Sequence, residues 1–285
     1  MNNMATIALL TDFGVEDVYV GVMKGVMNTI CPDAKLIDIT HAIPPQDVRG
    51  GALALLDAYR YFPEGTVFLV VVDPGVGSDR LPIAVAYDGY TFIAPDNGIL
   101  TYLLGGREDY QVHALTNPKY QLPAASSTFH GRDIFAPAAA HVASGVDIAK
   151  FGESLVSLVT LPRPTLTIAE GKIIGEVVRV DHFGNSITSI GRLQWRDDSC
   201  LVLQPRDDSG QSLTIASGSA RVKIGKTTLT GIKHAYHEVA TGELALQIDS
   251  TGQLEVMVNQ GSAAQRLGLS VGDQVTLYYE TCESI

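Results

Sequence analysis

The run Val70-Val71-Val72-Asp73-Pro74-Gly75-Val76-Gly77-Ser78-Asp79-Arg80 takes an apolar stretch into a carboxylate, a tight turn and a guanidinium. A buried parallel strand brings polar side chains to a sheet rim in this way, and ligands of open α/β folds bind beyond such carboxyl ends. Two more segments repeat the pattern: Ile7 to Gly14 places Asp12 after an apolar run, and Thr91 to Gly98 places Asp96 and Asn97 there. Three strand ends with acids and glycines suggest one site, with Asp73 and Arg80 at its chemical centre. An ion pair that only pins the turn would have the same sequence.

Further candidates lie in loops. His130, in Phe129-His130-Gly131-Arg132-Asp133, precedes an Ala-rich stretch, and Gly131 permits close backbone approach. His130 is either solvated or directed to the rim that carries Asp73. Asp12 is placed either to accept hydrogen bonds from a ribose diol or to cap the next helix. Asp181-His182-Phe183-Gly184-Asn185 and Asp249-Ser250-Thr251-Gly252 read locally as turns. Asp12, Asp73, Asp96, His130 and Asp133 could form a carboxylate and histidine metal site, but no HxH, HExxH or CxxC pair accompanies them, and Arg80 would compete with a cation. Phosphate-cradling glycine loops and a GxSxG nucleophile elbow are missing from the sequence.

The elements that must position these residues fall into two textures. In the first, strand and helix signals alternate: strands near 7–10, 35–39, 66–72, 83–87 and 90–94, and helices near 17–30, 47–61, 97–104 and 135–144. Asp88-Gly89 reads as a hairpin turn. Alternation of this kind predicts an α/β fold, a mainly parallel sheet sandwiched by helices. After Leu161-Pro162-Arg163-Pro164 the apolar runs become short and β-rich, predicting a C-terminal antiparallel, barrel-like β domain. The division is expected as residues 1–165 and 166–285.

Composition narrows the function classes. Of the 285 residues, 46% are hydrophobic and 18% charged, so the chain has enough apolar surface for large cores. No apolar run approaches the roughly 20 residues of a membrane helix, and the first residues do not resemble a signal peptide. A net charge of −11 argues against a nucleic-acid partner. Cys31, Cys200 and Cys282 form no CxxC pair and read as free thiols of a reducing cytoplasm.

Six motifs in order, Thr11-Asp12-Phe13-Gly14, Asp73-Pro74-Gly75-Val76-Gly77 with Arg80, Ala94 to Gly98, Phe129 to Asp133, Phe183-Gly184-Asn185 and Asn259 to Ala264, resemble the S-adenosylmethionine hydroxide adenosyltransferases, relatives of the fluorinases and chlorinases. The similarity spans almost the whole chain. It implies a homotrimer whose ligand lies between the N-terminal domain of one subunit and the C-terminal domain of its neighbour. It also implies a metal-free, cofactor-free hydrolysis of S-adenosylmethionine to adenosine and methionine by a water-activating triad of Asp73, Arg80 and His130. Ordinary side-chain pKa values then make His130 the natural proton acceptor and Asp73 beside Arg80 a weak base.

The same resemblance assigns Asp12 to the ribose hydroxyls. Asn185 and the backbone around Val258 and Gln260 fall to the adenine, and Asp181 and Ser250 to the methionine amino and carboxylate groups. Phe129, Gly131 and Glu255 become pocket residues. Fluorinases carry tyrosines where this chain has Asp73 and His130, and an insertion after Arg80, both of which favour water over halide here. Thr251 replaces an arginine and Gln46 a tryptophan of the fluorinases. From the residues alone, a metal-dependent phosphoester hydrolase and a non-catalytic adenosine-binding protein remain the alternatives.

Overall fold

The structure is a computed structural model that describes residues 4–123, 126–204 and 212–282. The chain forms two compact units, Met1–Pro162 and Arg163–Ile285. The first holds a sheet of β1 (Thr6–Thr11), β2 (Lys35–Thr40), β3 (Val67–Val71), β4 (Pro82–Tyr87), β5 (Tyr90–Pro95) and β6 (Gln111–Ala114), in the order β2-β1-β3-β5-β4-β6. β2, β1, β3 and β5 run parallel, while β4 is antiparallel to both β5 and β6.

Helices α1 (Tyr19–Ile30), α2 (Val48–Ala58), α3 (Thr101–Leu104) and α4 (Ala136–Ala143) cover both faces. Alternate residues of each central strand therefore enter different cores. Ile7, Leu9, Val67, Leu69 and Val71 pack with Met23, Met27 and the alanines of α4. Ala8, Leu10, Phe68, Val70 and Val72 pack with Ala52, Leu55, Ile99 and Leu103. Every residue of β3 is buried, and each of its large apolar side chains contributes about 1.5–3 kcal/mol on burial. A strand held this firmly delivers Asp73 to a defined place.

The local reasons for the helices are legible. The Asp47 side chain accepts a hydrogen bond from Gly50 N at 2.8 Å and caps α2. α4 continues out of a π-helical turn, Gly131–Phe135, and its small side chains allow close packing on β1 and β3. A π turn inserts an extra residue into the helical ladder and is a frequent mark of functional sites. The alanine pattern predicts a helix near 135–144 and carries no signal for this turn. β6 was also absent from the sequence expectation, being only four residues long.

The second unit contains β7 (Leu166–Ala169), β8 (Lys172–Val180), β9 (Ser186–Thr188), β10 (Leu193–Asp197), β11 (Cys200–Leu203), β12 (Leu213–Ala216), β13 (Arg221–Ile224), β14 (Thr227–Thr230), β15 (Ile232–Lys233), β16 (Leu244–Ile248), β17 (Leu254–Val258) and β18 (Gln274–Tyr278), with one short helix, α5 (Ala263–Leu267). Most form a nearly closed, barrel-like sheet in the order β14-β13-β18-β8-β9-β17-β16-β15, with β7 beside β8. β10, β11 and β12 make a separate three-stranded sheet. Pairing is antiparallel except between β15 and β16. One core, including Ile173, Val222, Leu246, Val256 and Leu277, fills the unit.

One sequence expectation is overturned here. Cys200 and Cys282 are not free thiols but a disulfide, their Cα atoms 6.2 Å apart; Cys31 alone is free. Their 82-residue separation leaves no local motif. The pairing is made by the fold, which lays the segment after β18 beside β12, with Ala216 N donating to Glu280 O at 2.8 Å. The cysteine argument for a reducing compartment therefore fails for two of three thiols. Among the described residues no helix is long and apolar enough to cross a membrane.

Cross-linking across so long a loop restricts the unfolded chain, and loss of such a bond typically costs about 2–5 kcal/mol. Cys282→Ser should lower the urea midpoint accordingly, and reductant should lower the wild-type midpoint to that of the variant. A wild-type midpoint unmoved by reductant would contradict the stabilising role.

Candidate active site

Because β1, β3 and β5 are parallel, Asp12, Asp73 and Asp96 emerge at one edge of the sheet. The chain passes from β1 outward to β2, then crosses back to β3 on the other side of β1. Asp12 and Asp73 thus flank the point where the strand order reverses, the usual crevice for a ligand in such sheets.

Asp73 and Arg80 meet across the turn. Arg80 Nε donates to Asp73 Oδ1 at 2.9 Å, and Nη2 donates to Oδ2. The side chains are only 5% and 8% exposed, so this is a buried bidentate pair. Arg80 Nη2 also donates to His130 Nδ1 at 2.8 Å, while the guanidinium lies over the Phe135 ring, 5.2 Å from its centre. Its Nη1 is buried with no hydrogen-bond partner among the described residues. The structure thus brings Asp73, Arg80 and His130 into one chain of contacts.

Arginine can only donate, so the bond from Arg80 sets the histidine tautomer: Nδ1 carries the lone pair and Nε2 the proton. Burial, then the Arg80 charge, holds the His130 pKa below its ordinary value, against the weaker pull of Asp73 and Asp133. At neutral pH His130 is therefore an uncharged donor through Nε2. That arrangement differs from the expectation of a histidine base.

Several groups hold the triad. The Asn97 amide donates to Val72 O at 2.8 Å and secures the end of β3. Ser78 Oγ donates to Gly75 O at 2.6 Å within the turn. Gly77 has φ +79° and stands against the loop before His130; a Cβ there would lie 2.5 Å from Ser127 O. Turn and histidine loop can approach only because residue 77 has no side chain.

Asp12 Oδ2 accepts from Gln46 N at 2.8 Å, and Gln46 has φ 68°, a conformation uncommon outside glycine. Beneath Asp12, Thr11 Oγ1 is 2.8 Å from buried His41 Nδ1, and Phe13 N donates to Thr11 Oγ1 at 3.2 Å. Phe129 packs edge-on against Phe13 and Tyr19, with ring centres 6.1 and 5.2 Å away. Gly131 sits under this cluster, where a Cβ would crowd Phe129, Met23 and Phe13 at 3.1–3.3 Å. Its role in the structure is this close packing.

The other two candidate acids of the first unit, Asp96 and Asp133, are already engaged. Arg132 Nε donates to Asp133 Oδ1 at 2.6 Å, and Asp96 accepts from Val159 N at 2.8 Å. Among the described residues no three His, Cys, Asp or Glu side chains are grouped to hold a metal ion.

In the second unit, Asp181 Oδ1 accepts from Phe183 N at 2.9 Å and Asn185 N at 2.8 Å. Asn185 Nδ2 donates to Asp181 Oδ2 at 3.0 Å and to Tyr236 Oη at 3.1 Å. Tyr236 in turn donates to Glu255 Oε1 at 2.8 Å, and Gln247 Nε2 donates to the same oxygen. Burial, countered in part by these two donors, raises the Glu255 pKa; burial and then the bond to Glu255 raise that of Tyr236. The Val258–Gly261 turn packs beside Gly184, whose missing Cβ would collide with Ser262, and Gln260 has φ 57°.

Asp181, Asn185 and Glu255 are thus joined, with Val258 and Gln260 at the adjoining turn. Ser250 is not. It lies exposed in the hairpin that joins β16 to β17, at the Glu255 end of β17 and a strand length from Val258. There Asp249 Oδ1 accepts from Thr251 N and Thr251 Oγ1 at 2.9 and 2.8 Å. Phe135, Asn97, Tyr236 and Gln247 were not assigned roles from sequence. Only Asn97 carried a signal, its place in the third strand-end motif.

Residues 7–152 and 175–276 match the N-terminal and C-terminal domains of SAM hydroxide adenosyltransferase. The chain belongs to the SAM hydroxide adenosyltransferase family. It is 39% identical over 281 residues to the (R)-S-adenosyl-L-methionine hydrolase of Thermus thermophilus, covering 96% of this chain and all of that one. A fluorinase of an Actinoplanes species is 30% identical over 67% of this chain and 73% of its own. A crystal structure of an uncharacterized conserved protein from Thermotoga maritima superposes with a TM-score of 0.82 at 36% identity, over 95% of this chain and 99% of that one.

In this SAM hydroxide adenosyltransferase, Gly77 joins the Asp73 turn to the His130 loop. Gly77→Ala should cost at least about 1 kcal/mol, since alanine is strained at positive φ and its methyl meets a backbone oxygen. Chemical denaturation would measure this. Unchanged stability would show that the loop yields freely.

Proposed function

We propose that the chain hydrolyses S-adenosyl-L-methionine to adenosine and L-methionine, with a water held by Asp73, Arg80 and His130 attacking C5′. The observation that carries this reading is the buried Asp73–Arg80–His130 contact at the strand-order reversal, in a chain whose relatives include named hydrolases of this substrate.

The sulfonium makes departure easy. As the C5′–O bond forms, the C5′–S bond breaks, sulfur takes the electron pair and methionine leaves as a neutral thioether. The nucleophile is the difficulty, because bulk water has a pKa of about 15.7. In this reading Arg80 Nη1 and His130 Nε2–H both donate to the water oxygen and stabilise its developing hydroxide character. The proton passes to Asp73, the anion of the triad. A weak base suffices, since the oxygen becomes strongly acidic as it bonds to carbon. Positioning supplies up to roughly 7–11 kcal/mol and preorganised charge several more. No metal or redox cofactor is required.

Asp12 takes the ribose diol, Phe129 lines the pocket with Gly131 beneath it, and Asn185 with the backbone at Val258 and Gln260 takes the adenine. Asp181 and Ser250 serve the methionine amino and carboxylate groups. The active form is a homotrimer in which the second unit of a neighbour completes the site. Exposed Val15, Val18 and Tyr19, at 80%, 73% and 45%, support a covering partner beside the Phe13 cluster. In this reading the enzyme works in the cytoplasm.

Incubation with S-adenosylmethionine in ¹⁸O-water should give adenosine labelled at the 5′-hydroxyl, with EDTA without effect. Bound but unchanged ligand would identify a binding protein, and loss of turnover with EDTA a metal-dependent hydrolase. Arg80→Ala and His130→Ala should each lower kcat by about 10²–10³ with much smaller changes in binding; equal losses of both would refute their roles. Mixing inactive Arg80→Ala and Asn185→Ala subunits should restore part of the activity if sites are shared.

The acid limb of kcat/KM should lie below pH 6.5, the ordinary histidine value, because burial and Arg80 depress the His130 pKa. The sign is that of a group folded in its neutral form: its contribution is present above the unfolded value and lost as pH falls through the folded one. Protonation would set Nδ1–H against the Arg80 donor. An acid limb above 6.5 that disappears in His130→Gln would contradict the assignment.

A further inference from the structure

Buried Asn185 is held between two acceptors. Asp181 Oδ2, at 3.0 Å, can only accept. Tyr236 Oη, at 3.1 Å, has given its hydrogen to Glu255 and offers a lone pair. Both amide hydrogens of Asn185 are therefore consumed by the protein. Turning the amide over would set Oδ1 against the lone pairs of Asp181 and Tyr236 at once. Two acceptors, the Asp181 carboxyl on one side and the Tyr236 oxygen anchored by Glu255 on the other, thus impose the same orientation, and Oδ1 is left as the group the amide offers a ligand.

We infer that Asp181, Tyr236 and Glu255 act as positioning residues for base specificity: by fixing the Asn185 amide with Oδ1 outward, they select a purine carrying a 6-amino donor and reject the 6-oxo counterpart. This rests on the reading that Asn185 meets the base. It adds Tyr236, which no sequence motif marked, and moves Glu255 from pocket wall to anchor. Glu255 is 2% exposed and bound to Tyr236 and Gln247, so it acts through its neighbours. A 6-oxo purine would place its carbonyl against Oδ1, acceptor against acceptor, with its N1–H displaced from that line. Sites built to bond a donor discriminate far more sharply than apolar pockets do.

The test compares kcat/KM for S-adenosylmethionine and its 6-oxo analogue, S-inosylmethionine. Wild-type enzyme should prefer the amino substrate by at least about 100-fold. Tyr236→Phe should lower that ratio several-fold, and the double variant Asp181→Asn/Tyr236→Phe, in which the amide is free to turn, should bring it within about tenfold of unity. A general weakening of the site would scale both substrates together and leave the ratio unchanged. Circular dichroism checks that each variant is folded.

A wild-type enzyme that consumes both substrates equally would overturn this inference while leaving the hydrolase reading intact. So would a folded double variant with the wild-type ratio. If wild-type protein turns over neither substrate, the hydrolase reading fails. Calorimetry with adenosine and inosine then decides the inference: at least tenfold tighter adenosine binding supports it, and equal binding overturns it.

Discussion

A buried guanidinium governs the first unit. Arg80 is always charged, and a charge removed from water is tolerated only when it is paired and hydrogen-bonded. Asp73 supplies the counter-charge through two parallel bonds, His130 accepts a third, and the Phe135 ring takes one face. These demands determine much else. β3 is buried throughout, so Asp73 leaves it at a fixed height. Asn97 holds the Val72 carbonyl just beyond that strand, and the turn can fold back to Arg80 only through glycines. The His130 tautomer follows from the same charge, since arginine offers hydrogens alone.

The second unit satisfies its clustered carboxyl groups by another route. Asp181 and Glu255 are met by backbone N–H groups, amides and a phenol. Neutral donors around an anion generate directional bonding without a strong field. Such a network suits the reading of a planar, uncharged ring by its donor and acceptor pattern. The charged triad suits the development of charge on a small nucleophile. The two chemistries thus differ in kind.

Local sequence carries some of these features and not others. Strand ends at Asp12, Asp73 and Asp96 are legible because an apolar run that stops at an acid and a glycine has few other uses. The Arg80 pairing is legible because only seven residues separate it from Asp73. His130 is fifty residues beyond Arg80, and nothing local directs it to that partner. The π turn, Tyr236 and the Cys200–Cys282 bond are likewise silent in sequence. Ser250 shows another limit: its hairpin is legible in Asp249-Ser250-Thr251-Gly252, while its assignment to the ligand comes from family likeness alone.

Periodicity and composition alone determined the α/β and β textures, because burial alternates in strands and repeats in helices over only a few residues. Six motifs in order determined the family. Tertiary structure decided which acids remain available, since Asp133 is held by Arg132 and Asp96 by the backbone at Val159. It also decided which nitrogen of His130 holds the proton and which way the Asn185 amide faces. Those are properties of partners brought together across long loops, and a hydrogen bond acquires its direction only when both of its ends are in place.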